Sequence, residues 1–165
     1  KNENKKIINS YEKIESIVNK LKKDKKKIVF TNGCFDLLHS GHADYLKKAK
    51  EMGDILIVGL NSDESIKKIK GENRPIVDQN SRLELISSLE SVNYCILFEE
   101  DNPINILSYI KPDIHVKGSD YKNKYMIERD MVEINGGQIG FIEIKTNENN
   151  KISTSDIIEK IKNEH

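Results

Sequence analysis

Two histidines three residues apart are the side chains of this sequence best suited to chemistry. His39 and His42 flank Ser40-Gly41, directly before a segment whose apolar residues recur at helical spacing. A helix N-terminus offers unpaired backbone N–H groups and partial positive charge, which suit a phosphate. Two imidazoles there add donors for charge developing on a phosphoryl group. The pattern predicts a phosphate site, and its plain alternative is two solvent-facing histidines at a helix start.

The elements around the histidines indicate how they would be positioned. Short apolar strands are predicted at 27–31, 55–60, 94–98, 113–117 and 139–144, with helical segments between them. This alternation predicts an α/β fold, a Rossmann-like, doubly wound, parallel five-stranded sheet with helices on both faces. Such sheets bind ligands at the carboxyl ends of their strands, where the strand order reverses. His39 and His42 follow the first of these strands.

Length and composition limit the class of protein. The chain has 165 residues, of which 33% are charged and 36% hydrophobic, and its net charge is zero, as expected for one soluble globular domain. This balance gives no support for a nucleic-acid or membrane partner. Cys34 and Cys95 are expected to be reduced thiols in a cytoplasmic protein.

The first 24 residues differ from the rest of the chain. They are rich in lysine and carry apolar residues at helical spacing, which predicts an amphipathic helix packed on the domain or on a partner. We therefore expect an N-terminal extension over 1–24 and a catalytic domain over 25–165. The chain lacks G-x-G-x-x-G and P-loop motifs, so dinucleotide and P-loop functions lose their main support.

The run G-C-F-D-L-L-H-S-G-H resembles the HxGH signature of the cytidylyltransferase-type nucleotidyltransferases. Further motifs make the resemblance more specific: N-S-D, K-G-E-N-R-P, F-E-E-D-N-P, V-K-G-S-D-Y and I-S-T-S-D-I-I. Together they are similar to the adenylyltransferase domain that makes ADP-heptose from a heptose 1-phosphate and ATP. Ser119 and Ser155 depart from that pattern, where glycine and threonine are expected.

The resemblance implies roles for individual residues. As catalytic residues it implies His39, His42, Lys70 and Arg82. As nucleotide-binding residues it implies Asn32, Gly33, Cys34, Phe35, His39, His42, Gly118, Asp120, Ser153, Thr154 and Ser155. As residues for the second substrate it implies Asp36, Asn61, Asp63 and Lys70.

Each of these residues also has an ordinary explanation. Lys70 can be a solvated lysine, and Arg82 an exposed arginine of a first helical turn. Ser153 and Asp63 can simply cap helices. Asp36 suits a sugar hydroxyl and a structural hydrogen bond equally well.

Cofactor and assembly expectations complete the sequence interpretation. No protein metal cluster is visible, because His39 and His42 lack further ligands at zinc spacing. Mg²⁺ is expected to arrive on the nucleotide phosphates, since it takes few protein ligands in such sites. The amphipathic N-terminal segment suggests a surface that needs covering, and family resemblance implies a homodimer.

Three functions are consistent with these motifs. The first is an adenylyltransferase acting on ATP and a sugar 1-phosphate, most similar to the heptose enzymes. The second is a cytidylyltransferase that joins CTP to glycerol 3-phosphate or a similar alcohol phosphate. The third is a nucleotide-binding module without turnover. The motifs outside HxGH favour the first.

Overall fold

Six parallel strands form the central sheet of the computed structural model, which describes residues 4–144, 146–147, 150–151 and 153–164. The sheet order is β1-β4-β3-β2-β5-β6. The strands are β1 (Ile7–Ile8), β2 (Ile28–Gly33), β3 (Ile55–Asn61), β4 (Tyr94–Phe98), β5 (Ile114–Gly118) and β6 (Gln138–Ile142). A separate antiparallel ribbon consists of β7 (Thr146–Asn147) and β8 (Asn150–Lys151).

Seven helices occupy the described part of the chain. They are α1 (Tyr11–Lys23), α2 (Ser40–Glu51), α3 (Asp63–Lys70), α4 (Gln79–Ser87), α5 (Ile104–Ile110), α6 (Ile127–Ile134) and α7 (Thr154–Asn163). A 3₁₀ turn, Ser119–Tyr121, follows β5. Side-chain caps start several helices: Ser62 accepts from the Ser65 N–H, and Ser153 accepts from the Asp156 N–H.

Helices cover both faces of the sheet. Successive strand residues point to opposite sides, so each strand contributes apolar side chains to both faces. Val29 packs on one side with α2 and α4, and Phe30 packs on the other with α1, α5 and α6. The predicted doubly wound parallel fold is confirmed. The predicted strand count of five is wrong by one.

The additional strand, β1, lies within the segment predicted as a helix. Ile7 and Ile8 pair with Cys95 and Ile96 at the sheet edge, so β1 extends the sheet beyond β4. Helix α1 begins only after Ser10, whose hydroxyl caps it. The spacing of these isoleucines predicts a helix, but pairing with the distant strand β4 gives them a strand conformation instead.

The apolar face of α1 is covered by the domain itself. Ile14 and Val18 are almost fully buried in the same hydrophobic cluster as Ile106 and Ile110 of α5. The apolar face of α1 is therefore buried within the domain. It gives no reason to expect that this helix binds a partner.

The sheet divides between β2 and β5. Strand β2 pairs with β3 along six residue pairs but with β5 only at Val29 and Phe30. Beyond that point the Thr31 hydroxyl and the Tyr45 hydroxyl both bond the carbonyl of Val116, at 3.1 Å and 3.2 Å. The strand order reverses here, so a crevice opens at the carboxyl ends of the two strands.

Two further predictions concern cysteines and membranes. Cys34 and Cys95 are both free thiols, and burial raises the pKa of Cys95 to about 12. No helix in the described ranges combines the length and apolar character needed to cross a bilayer.

Candidate active site

A cleft of about 420 Å³ lies at the carboxyl ends of β2 and β5. Thirteen of the sixteen sequence-predicted site residues line it: Asn32, Gly33, Cys34, Phe35, Asp36, His39, His42, Lys70, Gly118, Asp120, Ser153, Thr154 and Ser155. Asn61, Asp63 and Arg82 are not among the lining residues. The fold therefore gathers segments from four separate parts of the sequence into one cleft.

The two histidines stack on each other at the start of α2. Their ring centroids are 3.8 Å apart and their planes differ by 24°. His39 Nδ1 accepts a 3.1 Å hydrogen bond from the Gly41 N–H, and His42 Nδ1 accepts a 3.4 Å bond from the His39 N–H. A neutral imidazole that accepts at Nδ1 carries its proton at Nε2. Each ring can then donate from Nε2, and His39 Nε2 is buried without a partner among the described residues.

The electrostatic environment keeps both rings neutral. Burial lowers the pKa of His39. Burial, the neighbouring His39 and the ammonium of Lys70 lower the pKa of His42 to about 4. Neutral rings can stack closely without repulsion, and both remain hydrogen-bond donors at physiological pH.

The turn that carries the histidines depends on Gly33 and Phe35. Phe35 has a φ of 48°, and its ring lies 5.2 Å from the ring of His42. A Cβ at Gly33 would approach the Phe35 ring to 2.9 Å. A glycine is needed there because the aromatic ring occupies the space of a side chain, and the ring in turn supports His42.

Asp36 is held by protein groups on the cleft wall. Its nearly buried carboxylate accepts bonds from Arg74 Nε at 2.7 Å and from the backbone N–H groups of Ile76 and Val77 at 2.9 Å each. Burial alone would raise its pKa, but these hydrogen bonds and the Arg74 charge outweigh it and lower the pKa. Of the two predicted roles, the contacts support the structural one.

Arg82 lies inside the protein, away from the cleft. Its side chain has no exposed surface, and Nη1 donates to the carbonyls of Cys34 and Asn61 at 2.8 Å and 2.7 Å. Nε donates to the Val77 carbonyl, and Nη2 forms a 2.7 Å ion pair with Asp63. The expectation of an exposed first-turn arginine is wrong. These contacts connect the ends of β2 and β3 to α4, and they support a structural role for Arg82.

The contacts of Arg82 also account for the positions of Asp63 and Asn61. Asp63 pairs with Arg82, and the Asn61 side-chain amide donates to the Ser65 hydroxyl at 2.9 Å. Asn61 is the last residue of β3 and Asp63 the first residue of α3, so both lie at the predicted strand end, but their side chains contact the start of α3 and Arg82 and do not line the cleft. A position at a strand end does not show whether a side chain lines the cleft or contacts the neighbouring helix.

The opposite wall of the cleft follows β5. A Cβ at Gly118 would lie 2.6 Å from a carboxylate oxygen of Asp120, so the glycine allows the close approach of this side chain. Lys117 forms a 3.0 Å ion pair with Glu128, and its ammonium lies 5.4 Å from the Tyr121 ring centroid. This wall therefore combines backbone, carboxylate and aromatic surfaces, which suit a nucleoside.

The N-terminus of α7 is attached directly to the histidine-bearing loop. Thr154 Oγ1 donates to the Leu37 carbonyl at 3.2 Å, and Ser153 caps the helix. Ser155 is exposed at the cleft. Helix α7 therefore brings a second N-terminus, with its partial positive charge, to the cleft that already holds the start of α2.

Six lining residues were given no individual role from the sequence, although Gly41, Arg74 and Tyr121 lie in segments expected to form the site: Gly41, Tyr45, Arg74, Lys117, Tyr121 and Ile144. Gly41, Lys117 and Tyr121 belong to the quoted motifs, and Arg74 belongs to K-G-E-N-R-P, so a signal for four of them was present. Tyr45 was assigned only as an apolar helix position, and Ile144 only as part of a strand. Neither had a local signal.

No group of three or more His, Cys, Asp or Glu in the described ranges could hold a metal ion. The cleft lining has two carboxylates, Asp36 and Asp120, and the Asp36 oxygens already accept hydrogen bonds from three protein N–H groups. These residues fit an ion held mainly by substrate phosphates.

Known proteins resemble this chain at the level of sequence. The cytidylyltransferase-like family matches residues 30–160. The bifunctional protein HldE of Helicobacter pylori J99 is 50% identical over 152 residues, which cover 92% of this chain and 31% of that protein. The HldE of a Nitratiruptor species is 49% identical, with 94% and 32% covered. The chain thus spans about a third of these relatives.

Solved structures also resemble it. A lipopolysaccharide core biosynthesis protein from Thermoplasma volcanium has a TM-score of 0.60 and 34% identity, covering 74% of this chain and 99% of that one. A pantoate–β-alanine ligase from Francisella tularensis, complexed with β,γ-ATP and β-alanine, has a TM-score of 0.63 at 20% identity, covering 94% and 76%. The latter supports the fold alone. With the family match over most of its length, the chain belongs to the cytidylyltransferase-like family and is a nucleotidyltransferase.

Proposed function

We propose that this chain transfers the adenylyl group of ATP to a heptose 1-phosphate, giving ADP-heptose and pyrophosphate. The observation that carries the proposal is the stacked pair of neutral histidines, each with Nε2–H as its donor, at a helix N-terminus in the cleft. The motif resemblance to ADP-heptose synthase domains and the roughly 50% identity to HldE proteins support the choice of nucleotide and sugar.

The nucleotide lies across the β5 side of the cleft. Gly118 and Asp120 face the nucleoside, and the triphosphate spans the N-termini of α2 and α7. The buried His39 Nε2 gains an acceptor in a phosphate oxygen, which it lacks among the described protein groups. This pose uses the two helix termini that the Thr154–Leu37 hydrogen bond holds together.

The transfer step needs little covalent participation by the protein. An oxygen of the sugar phosphate attacks the α-phosphorus in line, a new P–O bond forms, and the bond from the α-phosphorus to the bridging oxygen breaks. The bonding electrons and the negative charge leave with pyrophosphate. Catalysis then rests on positioning and charge stabilisation. A preorganised donor such as His42 Nε2–H is worth about 3–4 kcal/mol in comparable sites.

Mg²⁺ accompanies the nucleotide in this proposal. When bound, it neutralises phosphate charge and helps pyrophosphate to leave. Phosphate oxygens and water would supply most of its ligands, and Asp120, a carboxylate of the cleft lining after β5, could supply a protein oxygen.

We also propose that the enzyme acts in the cytoplasm as a homodimer, without nucleic acid or membrane as partner. Support for self-association comes from exposed apolar residues around α6: Tyr125 at 85%, Ile127 at 51% and Ile134 at 83% exposure. Ile127 and Ile134 are seven residues apart on α6 and therefore lie on the same side of the helix, and exposed apolar surface of this kind is typical of contact sites. Light scattering at high protein concentration tests this, and a monomer there would reject it.

Pyrophosphate release tests the reaction. The wild-type chain is assayed with each of four nucleoside triphosphates against a panel of heptose, hexose and glycerol phosphates, in the presence of Mg²⁺. ATP with a heptose 1-phosphate should give the highest kcat/KM. If CTP with glycerol 3-phosphate is the better pair, the adenylyltransferase proposal is wrong and the cytidylyltransferase reading replaces it. Failure of every pair would favour a binding module.

A further inference from the structure

We infer that Arg74 is the residue that binds the phosphate of the acceptor substrate, and that Asp36 positions it. The inference rests on the proposed function, because it assigns the second substrate's phosphate to one wall of the same cleft. Lys70 is the last residue of α3, and Arg74 lies four residues later in the connection to α4. Both residues line the cleft.

The first observation is an unused donor on a side chain that is otherwise fixed. Arg74 Nε donates to Asp36 Oδ2 at 2.7 Å, while its Nη2 is buried and has no hydrogen-bond partner among the described residues. The side chain is only 14% exposed. A buried guanidinium N–H without an acceptor is unfavourable, so the arrangement calls for a ligand that supplies one.

The second observation is the rigidity of the anchor. The Asp36 carboxylate also accepts the N–H groups of Ile76 and Val77, so it fixes the backbone on the C-terminal side of Arg74 as well as the guanidinium. Asp36 itself is 1% exposed. A guanidinium held at one edge presents its other edge as a planar fork, which matches two oxygens of a phosphate.

The position of Arg74 in the fold selects the acceptor over the nucleotide. Arg74 and Lys70 belong to the connection that follows β3, on one side of β2. The proposed nucleotide groups follow β5 and β6, on the other side of β2. In the proposed pose, the nucleotide phosphates already meet the N-termini of α2 and α7. The β3 side of the cleft therefore holds two cationic side chains for a separate dianion, which is the charge of a phosphomonoester.

Calorimetric titration tests the assignment without turnover. The protein is saturated with α,β-methylene-ATP and Mg²⁺, and then titrated with heptose 1-phosphate, glucose 1-phosphate and glycerol 3-phosphate. Loss of a charge-assisted hydrogen bond predicts that Arg74→Gln weakens acceptor binding about 10- to 100-fold. The Kd for the ATP analogue should change less than about twofold. Arg74→Lys should lie between wild type and Arg74→Gln, because it keeps the charge and loses the fork.

Asp36→Asn tests the positioning role. It should weaken acceptor binding in the wild-type background and add nothing in the Arg74→Gln background, since the guanidinium it positions is then gone. Lys68→Ala removes an exposed cation from α3 and serves as the matched control, with unchanged binding of both ligands. Thermal unfolding of each variant checks that it is folded, and Arg74→Lys carries the test if Arg74→Gln is not.

The outcomes separate this inference from the proposed function. If another phosphomonoester binds in place of the heptose phosphate with the same dependence on Arg74, the inference holds and the proposed sugar is wrong. Acceptor binding by Arg74→Gln at wild-type strength would overturn the inference. So would an equal loss of affinity for the ATP analogue, or failure of wild type to bind any of the three phosphomonoesters.

Discussion

Arg82 and Asp63 form an ion pair of 2.7 Å that connects the first turn of α4 to the first residue of α3. The guanidinium is fully buried, whereas the carboxylate side chain is 29% exposed. Arg82 also bonds the carbonyl of Cys34, the residue after β2, and that of Asn61, at the end of β3. It therefore fixes the backbone at the ends of β2 and β3, next to Cys34 in the cleft lining.

Replacing Arg82 should reduce stability first and activity as a consequence. Arg82→Gln leaves three carbonyls and one carboxylate short of donors, and removal of one partner from a buried pair costs about 3–5 kcal/mol. Because solvent reaches Asp63, we expect roughly 3 kcal/mol, measured by urea unfolding. Arg129→Ala, at a half-buried arginine of α6, is the control and should stay within about 0.5 kcal/mol. Normal stability with lost ATP binding would instead restore Arg82 as a phosphate ligand.

His39→Ala and His42→Ala should each lower kcat by at least about a hundredfold, because each removes an Nε2–H donor aimed at developing phosphate charge. The KM for ATP should change much less than kcat. Steady-state pyrophosphate release measures both constants.

The folded state of the two histidine variants is the necessary control. Both rings lie at a helix start and line the cleft, outside the hydrophobic core, so the far-ultraviolet circular dichroism spectrum should match wild type. Wild-type rates in either folded variant would remove that histidine from the mechanism.

Stability should fall on acidification between about pH 6.5 and pH 4, because the unfolded chain binds protons that the folded chain excludes. Burial, with Lys117 nearby, lowers the pKa of His115 to about 3, and the pKa of His42 is lowered to about 4. For a group whose folded pKa is depressed, the stabilisation is complete above the unfolded pKa and is lost as the pH falls. Chemical denaturation at half-unit pH steps measures the slope.

His115→Phe identifies one source of that slope. His115 is fully buried and stacks on Phe30 with ring centroids 5.4 Å apart, so a phenyl ring fits the same environment without a titrating group. The variant should be as stable as wild type near pH 7 and lose less stability at pH 5. An unchanged slope would show that His115 titrates normally.

Lys70→Ala should weaken turnover with little effect on stability. Lys70 is exposed at the last turn of α3, lines the cleft and lowers the pKa of His42 by its charge, so its ammonium acts on the histidine site. We expect about a tenfold loss in kcat/KM and an unfolding free energy within about 0.5 kcal/mol of wild type. Lys68→Ala on the same helix should match wild type in both.

A proteolysis experiment complements the Lys70 variant. Residues 71–73 are exposed and lie between Lys70 and the Asp36-anchored backbone, so this is the part of the connection with least support. Trypsin should cleave near Lys70, and a heptose 1-phosphate added together with α,β-methylene-ATP should slow the cleavage by giving Lys70 a phosphate partner. Equal cleavage with and without the acceptor phosphate would contradict closure of this segment on that substrate.

Much of the fold followed from local patterns. The strands from β2 to β6 are short apolar runs, and α2, α3 and α7 begin at residues whose side chains cap them, so the alternation that specifies a doubly wound sheet was visible in the sequence. Strand β1 was not visible. Two isoleucines next to a helix have no strand signal of their own, and their pairing with Cys95 and Ile96 depends on a strand about 88 residues later.

The sequence by itself determined most of the cleft, because His39, His42, Gly118 and Ser153 belong to short local motifs, and the resemblance of those motifs to a known family implied the reaction class. Only the tertiary structure decided which charged residues line the cleft. Arg74, in the connection between α3 and α4, and Arg82, within α4, are eight residues apart, yet Arg82 is buried against three carbonyls and Arg74 lines the cleft beside Asp36. The hydrogen-bond partners of these arginines lie up to 48 residues away in the sequence. A charged side chain can be buried only where the fold brings enough such partners to it. Local sequence patterns contain no information about that arrangement.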